Sequence, residues 1–363
     1  MVIQDEAFHG SDLEKIAATY NINQEDIIPF ASNVNPLGIS PMAKQALIDN
    51  IDAIKTYPDR DYVALRTSIS KYCNVQPDKI VLGNGTSELI SRTLKAIRPA
   101  NTMIIGPTYS EYGRAANAVG SMVTTYMLKN LDDFELDVEA FLENLSSEID
   151  LLIICNPNNP TGKAITKTDM SQIVEKCATL DITVLVDETY VEFVKDIDTI
   201  SSVSLVKRYN NLIVLRGISK FFASPGLRLG YAITDNTTFL ESANNNKIPW
   251  NINSLTTVAS VMFEDEHYIN LTKSLIQTER NLIYSALSSR KTIKVFKPDA
   301  NFILIKLLKE NQTSEQVFAY CIQKGFMIRD CSDYEGLGNR YIRFCFMKPE
   351  QNDNIVNTLL EIV

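Results

Sequence analysis

Histidine is nearly missing: His9 and His267 are the only two in 363 residues. The six cysteines, Cys73, Cys155, Cys177, Cys321, Cys331 and Cys345, form no close CxxC pair, so the sequence predicts no Cys/His metal site. Cysteines scattered this way read as buried reduced thiols, which implies a reducing compartment. No apolar run approaches the roughly 20 residues of a membrane span. The opening stretch MVIQDEAFHGSDLEK is acidic and lacks the apolar centre of a secretory leader. The expected location is therefore cytoplasmic, with no membrane partner. An excess of basic residues is missing too: 35 Lys and Arg stand against 44 Asp and Glu, a formal charge of -9. That balance argues against nucleic acid as a partner and leaves room for a locally basic pocket that takes a small anion. Repeats and low-complexity segments are absent.

What remains is an ordinary globular composition, 45% hydrophobic and 22% charged, in a chain long enough for two domains. From about residue 42 to 240, short apolar runs alternate with helical patterns. Strands are expected over 80–82, 102–105, 151–155, 183–186 and 212–215. Runs that are apolar throughout belong to a sheet buried on both faces, so the fold class is α/β. After Pro249 the pattern changes. A long helix is expected over 254–287, then strands over 302–307 and 341–346 around a helix over 316–324, which reads as a smaller α+β domain. The expected division is an N-terminal segment 1–41 packing with the small domain, a large domain 42–250 and a small domain 251–363.

The most informative run is Arg216-Gly217-Ile218-Ser219-Lys220, continuing to Ser224-Pro225-Gly226-Leu227-Arg228. It follows an apolar strand, where an α/β sheet presents its strand ends to a ligand. An amine and a guanidinium converging there suit an aldehyde that carries a phosphate. Pyridoxal 5'-phosphate is such a molecule, held by enzymes as a Schiff base on lysine. Other strand ends are polar as well. Gly83-Asn84-Gly85-Thr86-Ser87-Glu88 opens a helix and fits either an anion site or a plain capped turn. Asn156-Pro157-Asn158-Asn159-Pro160-Thr161-Gly162 is either an extended loop with amides aimed into the strand-end crevice or a connector. Asp187 ends an apolar strand, where a carboxylate is costly to bury without a positive partner such as a pyridinium nitrogen. Read by itself, Asp187 also fits a helix cap.

In order and spacing, Gly83-Asn84-Gly85, residues 156–162, Asp187 to Tyr190, Ser219-Lys220 and Arg228 resemble fold-type-I pyridoxal-phosphate enzymes of the class I/II aminotransferase family over nearly the whole chain. The resemblance implies a mostly parallel seven-stranded sheet between helices, with a smaller α+β domain. It implies Lys220 as the Schiff-base lysine and proton shuttle, Asp187 on the pyridine nitrogen, and Asn159 and Tyr190 on the phenolic oxygen. Gly85, Thr86, Ser87, Ser219 and Arg228 would hold the phosphate, and Tyr109 would stack on the ring. Tyr57 would reach the cofactor of a second subunit in a homodimer. One departure is Gly217, where the family usually has Ser or Thr.

The substrate end resembles two subfamilies, threonine-phosphate decarboxylases of the cobalamin pathway and histidinol-phosphate aminotransferases. In both, the resemblance implies arginines gripping a phosphate, here Arg329 and Arg343, with Asn35 and Asn159 also at the substrate. The His-Gly opening at His9 and the lack of an acid between Asn33 and Asn35 resemble the decarboxylase group. So do Pro249-Trp250-Asn251 and Arg329-Asp330-Cys331-Ser332. The expected activity is therefore decarboxylation of an O-phospho-amino acid, of the threonine or serine phosphate type. Transamination of histidinol phosphate is the alternative. A non-catalytic sensor built on the same fold is a remote third reading, because such regulators usually carry a DNA-binding domain and this sequence shows none.

Overall fold

The computed structural model describes residues 12–363. Its larger sheet comprises β1 (Ile80–Gly83), β2 (Asn101–Gly106), β3 (Met122–Met127), β4 (Leu151–Cys155), β5 (Thr183–Asp187), β6 (Leu212–Gly217) and β7 (Gly230–Thr234). The spatial order is β1-β7-β6-β5-β4-β2-β3. Only β7 is antiparallel to its neighbours, β1 and β6; the remaining pairs are parallel. Side chains alternate between two cores. Leu152, Ile154, Val184, Val186 and Val214 face one, while Leu151, Ile153, Leu185, Ile213 and Leu215 face the other. Burial on both faces is why these strands read as uninterrupted apolar runs. Because they are parallel, their carboxyl ends lie along one edge, which puts Cys155 beside Asp187 and Asp187 beside Leu215, two residues before the end of β6.

A second, antiparallel sheet contains β8 (Ile293–Phe296), β9 (Phe302–Leu307), β10 (Arg329–Asp330) and β11 (Tyr341–Cys345) in the order β10-β11-β9-β8. The chain just before residue 32 runs along it. The Ile28 amide donates to the Gly325 carbonyl at 2.8 Å and the Cys345 amide to the Phe30 carbonyl at 2.8 Å. The Phe30 ring meets Phe326 and Phe344 edge-on at 6.0 and 6.1 Å. This packing delivers Ala31, Ser32 and Asn33 to the strand-end edge of the larger sheet.

Four strands had no counterpart in the sequence reading: β3, β7, the four-residue β8 and the two-residue β10. β3 is an edge strand whose residues are only partly buried, Met122 being 66% exposed, so its apolar signal is diluted. β7 is short and begins with a glycine. The single helix expected over 254–287 is in fact a helix at Ser254–Val258, a 3-10 stretch at Ala259–Glu264 and a long helix at Glu266–Ser288. Asp265 makes the break. Its carboxylate caps the long helix through the Tyr268 amide at 3.1 Å and accepts from the Ser40 hydroxyl at 2.6 Å.

Candidate active site

A cavity of about 390 Å³ opens where the carboxyl ends of β4, β5 and β6 meet the small sheet and the segment around Asn33. Its lining includes Thr86, Ser87, Tyr109, Asn159, Asp187, Tyr190, Ser219, Lys220, Arg228, Arg329 and Arg343, so residues far apart in the chain converge here.

Lys220 is at its centre. The amine donates to the Ser32 carbonyl at 2.6 Å. Burial, with a smaller contribution from the nearby Arg343 guanidinium, brings its pKa down to about 8. A buried lysine near neutrality is a usable nucleophile and base. Asp187 lies buried at the end of β5 and accepts from the Tyr112 hydroxyl at 2.8 Å and from the Thr189 amide at 3.0 Å, with the Thr189 hydroxyl as a third donor. All three donors are neutral. Burial raises its pKa and these bonds offset only part of the rise. Tyr190 is buried, and its hydroxyl accepts from the Asn33 amide at 3.4 Å; burial raises its pKa.

At one end of the cavity, Gly85 takes a left-handed φ of 87° and leads into the helix Thr86–Ile97. The first amides of that helix are free to meet an anion. A methyl at Gly85 would collide with Arg228, whose guanidinium donates to the Pro225 and Asn84 carbonyls at 3.2 and 3.4 Å. A methyl at Gly230 on β7 would come within 2.5 Å of the Gly85 carbonyl carbon, so that glycine is needed for the loop to settle on the sheet. Gly217 has a related reason. A Cβ there would lie 3.2 Å from the Thr86 methyl and 3.2 Å from the Leu229 carbonyl, so Thr86 already fills the space.

At the other end, β10 and β11 pair Arg329 directly with Arg343. Arg343 is buried. It donates to the Ala31 carbonyl at 2.8 Å, the Tyr334 hydroxyl at 3.2 Å and the Asn159 side-chain oxygen, while its Nε lacks a partner among the described residues. Arg329 is ion-paired with Asp333 at 2.5 Å and lies over the Tyr334 ring at 5.4 Å. Like charges directly opposite on adjacent strands are unfavourable. Two guanidiniums placed so are suited to sharing a dianion.

These residues fit pyridoxal phosphate. The buried Asp187 carboxylate has only neutral donors and accommodates a protonated ring nitrogen, while Lys220 faces the same cavity and the Gly85–Arg228 cradle has room and donors for a phosphate. The match to the family model for aminotransferase class I and II spans residues 25–359. The chain belongs to that family. As a class I/II aminotransferase-family member it is a pyridoxal-phosphate-dependent enzyme, with the fold-type-I architecture described above. It is 30% identical over 356 residues to a threonine-phosphate decarboxylase of Salmonella typhimurium, covering 98% of this chain and 96% of the other. It is 32% identical over 358 residues to a histidinol-phosphate aminotransferase of Methanosphaera stadtmanae, covering 98% and 95%. The crystal structure of the histidinol-phosphate aminotransferase from Clostridium acetobutylicum superposes with a TM-score of 0.85 at 32% identity, covering 92% of this chain and 98% of that one.

Not every expected site residue reaches the cavity. Asn35 is turned away: its amide donates to the Phe221 carbonyl, the Tyr268 hydroxyl and Thr272 at 2.8, 2.8 and 2.9 Å, and its oxygen accepts from the Leu37 amide at 3.0 Å. With both ends of the amide engaged, it braces the Lys220 loop instead of facing a ligand. Tyr57 is 77% exposed and packs on Trp250 with ring centroids 4.6 Å apart, outside the cavity lining. His9 lies outside the described residues. Conversely, Asn33, Tyr112, Thr189 and Tyr334 escaped the sequence reading as site residues. Asn33 is buried against Tyr190 with a left-handed φ of 56° and an unpartnered side-chain oxygen. Tyr112 carried a faint signal, since it follows Tyr109 by one helical turn and the rings meet edge-on at 5.6 Å. Tyr334 carried none.

Proposed function

We propose that this enzyme removes CO2 from an O-phosphorylated amino acid of the threonine or serine phosphate type. The observation that carries the phosphorylated-substrate part of the reading, shared with the aminotransferase alternative, is the register pairing of Arg329 with Arg343 at the far end of the cavity from the Gly85–Arg228 cradle. That layout offers two separated anion sites with the Lys220 amine between them. One serves the cofactor phosphate through Thr86, Ser87, Ser219 and Arg228, and the other serves the substrate phosphate. The Salmonella decarboxylase relative supports the reading, and so does the absence of an acidic side chain between Asn33 and Asn35.

Pyridoxal phosphate, when bound, supplies an electron sink for the carbanion left as CO2 departs. Asp187 would pair with the ring nitrogen and favour its protonated form, and its burial would make that charge pairing strong. Tyr190 and Asn159 present polar groups from two strand ends to hold the ring's orientation. The two arginines fix the substrate's phosphate, and so decide which bond at Cα is held for cleavage. Lys220, whose amine burial already brings toward neutrality in the cofactor-free protein, would carry a proton and return it to Cα. Tyr57 and the exposed Ile51, Ile54 and Trp250 nearby form the face that a second copy of the chain covers.

Transamination of histidinol phosphate is the second reading, favoured by the Clostridium structure and the Methanosphaera relative. The deciding assay offers O-phosphothreonine, O-phosphoserine, and histidinol phosphate with 2-oxoglutarate separately, and measures CO2 and glutamate. CO2 release from a phospho-amino acid is the expected outcome. Glutamate formed faster than any CO2 would replace this reading with the aminotransferase one.

A further inference from the structure

Among the described residues, two acidic ones line the cavity: Asp187, buried at the strand end, and Asp333, whose side chain is 36% exposed. The mechanism uses the first and has no role for the second. The backbone around Asp333 is nonetheless well fixed. It belongs to a tight turn in which the Ser332 amide donates to Asp330 at 2.8 Å, the Tyr334 amide to the Cys331 carbonyl at 3.1 Å and the Leu337 amide to the Tyr334 carbonyl at 3.1 Å. Gly336 closes the turn with a left-handed φ of 86°, where a Cβ would collide with the Met127 sulfur. The turn holds the Asp333 carboxylate 2.5 Å from Arg329.

We propose that Asp333 is a specificity-determining residue, an internal anion that competes with small free anions for Arg329. The inference rests on the reading of Arg329 and Arg343 as a phosphate grip. Two unscreened guanidiniums side by side would hold any dianion, including inorganic phosphate, and the site would fill with a ligand it cannot convert. Asp333 supplies one negative charge already in contact with Arg329, so an incoming anion must first displace it. A free phosphate has only its contacts with the two arginines to offset that displacement. A substrate anchored also at the Lys220 end gains binding from a second site and displaces Asp333 readily. Because Asp333 is partly exposed, its carboxylate moves into water when released and carries little residual repulsion. The discrimination is therefore between singly and doubly anchored phosphates.

The test is calorimetric titration of inorganic phosphate into cofactor-loaded wild type, Asp333→Asn, Arg329→Gln and the double variant. With the cofactor in place its own phosphate cradle is filled, so the titration reads the arginine pair. Asp333→Asn should bind phosphate roughly three- to fivefold more tightly, the size of one lost charge-pair competition. Arg329→Gln should weaken binding, and adding Asp333→Asn to it should change the Kd by less than about twofold, because the competition then has no object. An unchanged or weaker Kd in Asp333→Asn, alongside weakened binding in Arg329→Gln, overturns the proposal and makes Asp333 a mere support for the arginine. If Arg329→Gln binds phosphate as wild type does, the phosphate grip itself is wrong and the proposal falls with it.

Discussion

Replacing Asp187 with Asn tests the heart of the site with almost no change in shape. The variant keeps the side chain's size; its one oxygen can still accept from Thr189, while its NH2 faces the Tyr112 hydroxyl and can donate to it, so what it chiefly loses is charge. Unit charges about 4 Å apart at an effective dielectric near 20 attract by about 4 kcal/mol. At about 1.4 kcal/mol per pKa unit, the carboxylate raises the proton affinity of the bound ring nitrogen by roughly 3 units. Without it the nitrogen is largely unprotonated near neutral pH, and turnover should fall on the order of 10³-fold. The phosphate cradle is untouched, so the cofactor should still bind. The assay pairs kcat with a pH titration of the bound cofactor's visible absorbance. A properly folded variant whose turnover stays within tenfold of wild type would refute the charge argument and leave Asp187 a cap. The cofactor-free protein gives an independent check. Burial raises the folded pKa of Asp187 above 3.8, so the folded state binds more protons than the unfolded one in the window above that value. Its ionisation therefore costs stability as pH rises. Cofactor-free Asp187→Asn should melt higher than wild type at pH 7, with the gap closing in acid.

Lys220→Ala should abolish the borohydride-reducible attachment of cofactor, checked by mass after reduction; an adduct on another lysine would defeat the assignment. In the cofactor-free protein the folded pKa of Lys220 is depressed from 10.5 to about 8. The folded state therefore binds fewer protons between those values, and stability should gain as pH rises from about 8 to 10.5; Lys220→Met should remove that gain in a melting series. Mixing Lys220→Ala with an impaired Tyr57→Ala should restore some turnover through hybrid dimers. No recovery despite proven subunit exchange would count against a shared site. Arg343→Lys keeps the charge but loses the fork that reaches Ala31, Tyr334 and Asn159, and should cost on the order of 10²-fold in kcat/KM on a phosphorylated substrate, with far less effect on its unphosphorylated parent.

The parallel core strands were legible because burial on both faces leaves an unbroken apolar run, as over 151–155 and 212–215. Their polar ends, Asp187 and the run around Lys220, were legible because such groups are unusual directly after such strands. β3 and β7 were not, since an edge strand and a glycine-led strand carry no such contrast. At the site, the sequence named the ends of elements but could not say which way a side chain turns. Asn33 and Asn35 stand two residues apart in the same motif. The left-handed backbone at Asn33 and the bonds to Phe221, Tyr268 and Thr272 decide that the first faces the cavity and the second the scaffold. Pairing across strands is likewise invisible one-dimensionally. Arg329 and Arg343 are fourteen positions apart, and only the register of β10 on β11 makes them neighbours with Asp333 beside one of them. Chemistry follows residue type and is written along the chain, whereas selectivity follows direction and distance, which exist only once the chain has packed.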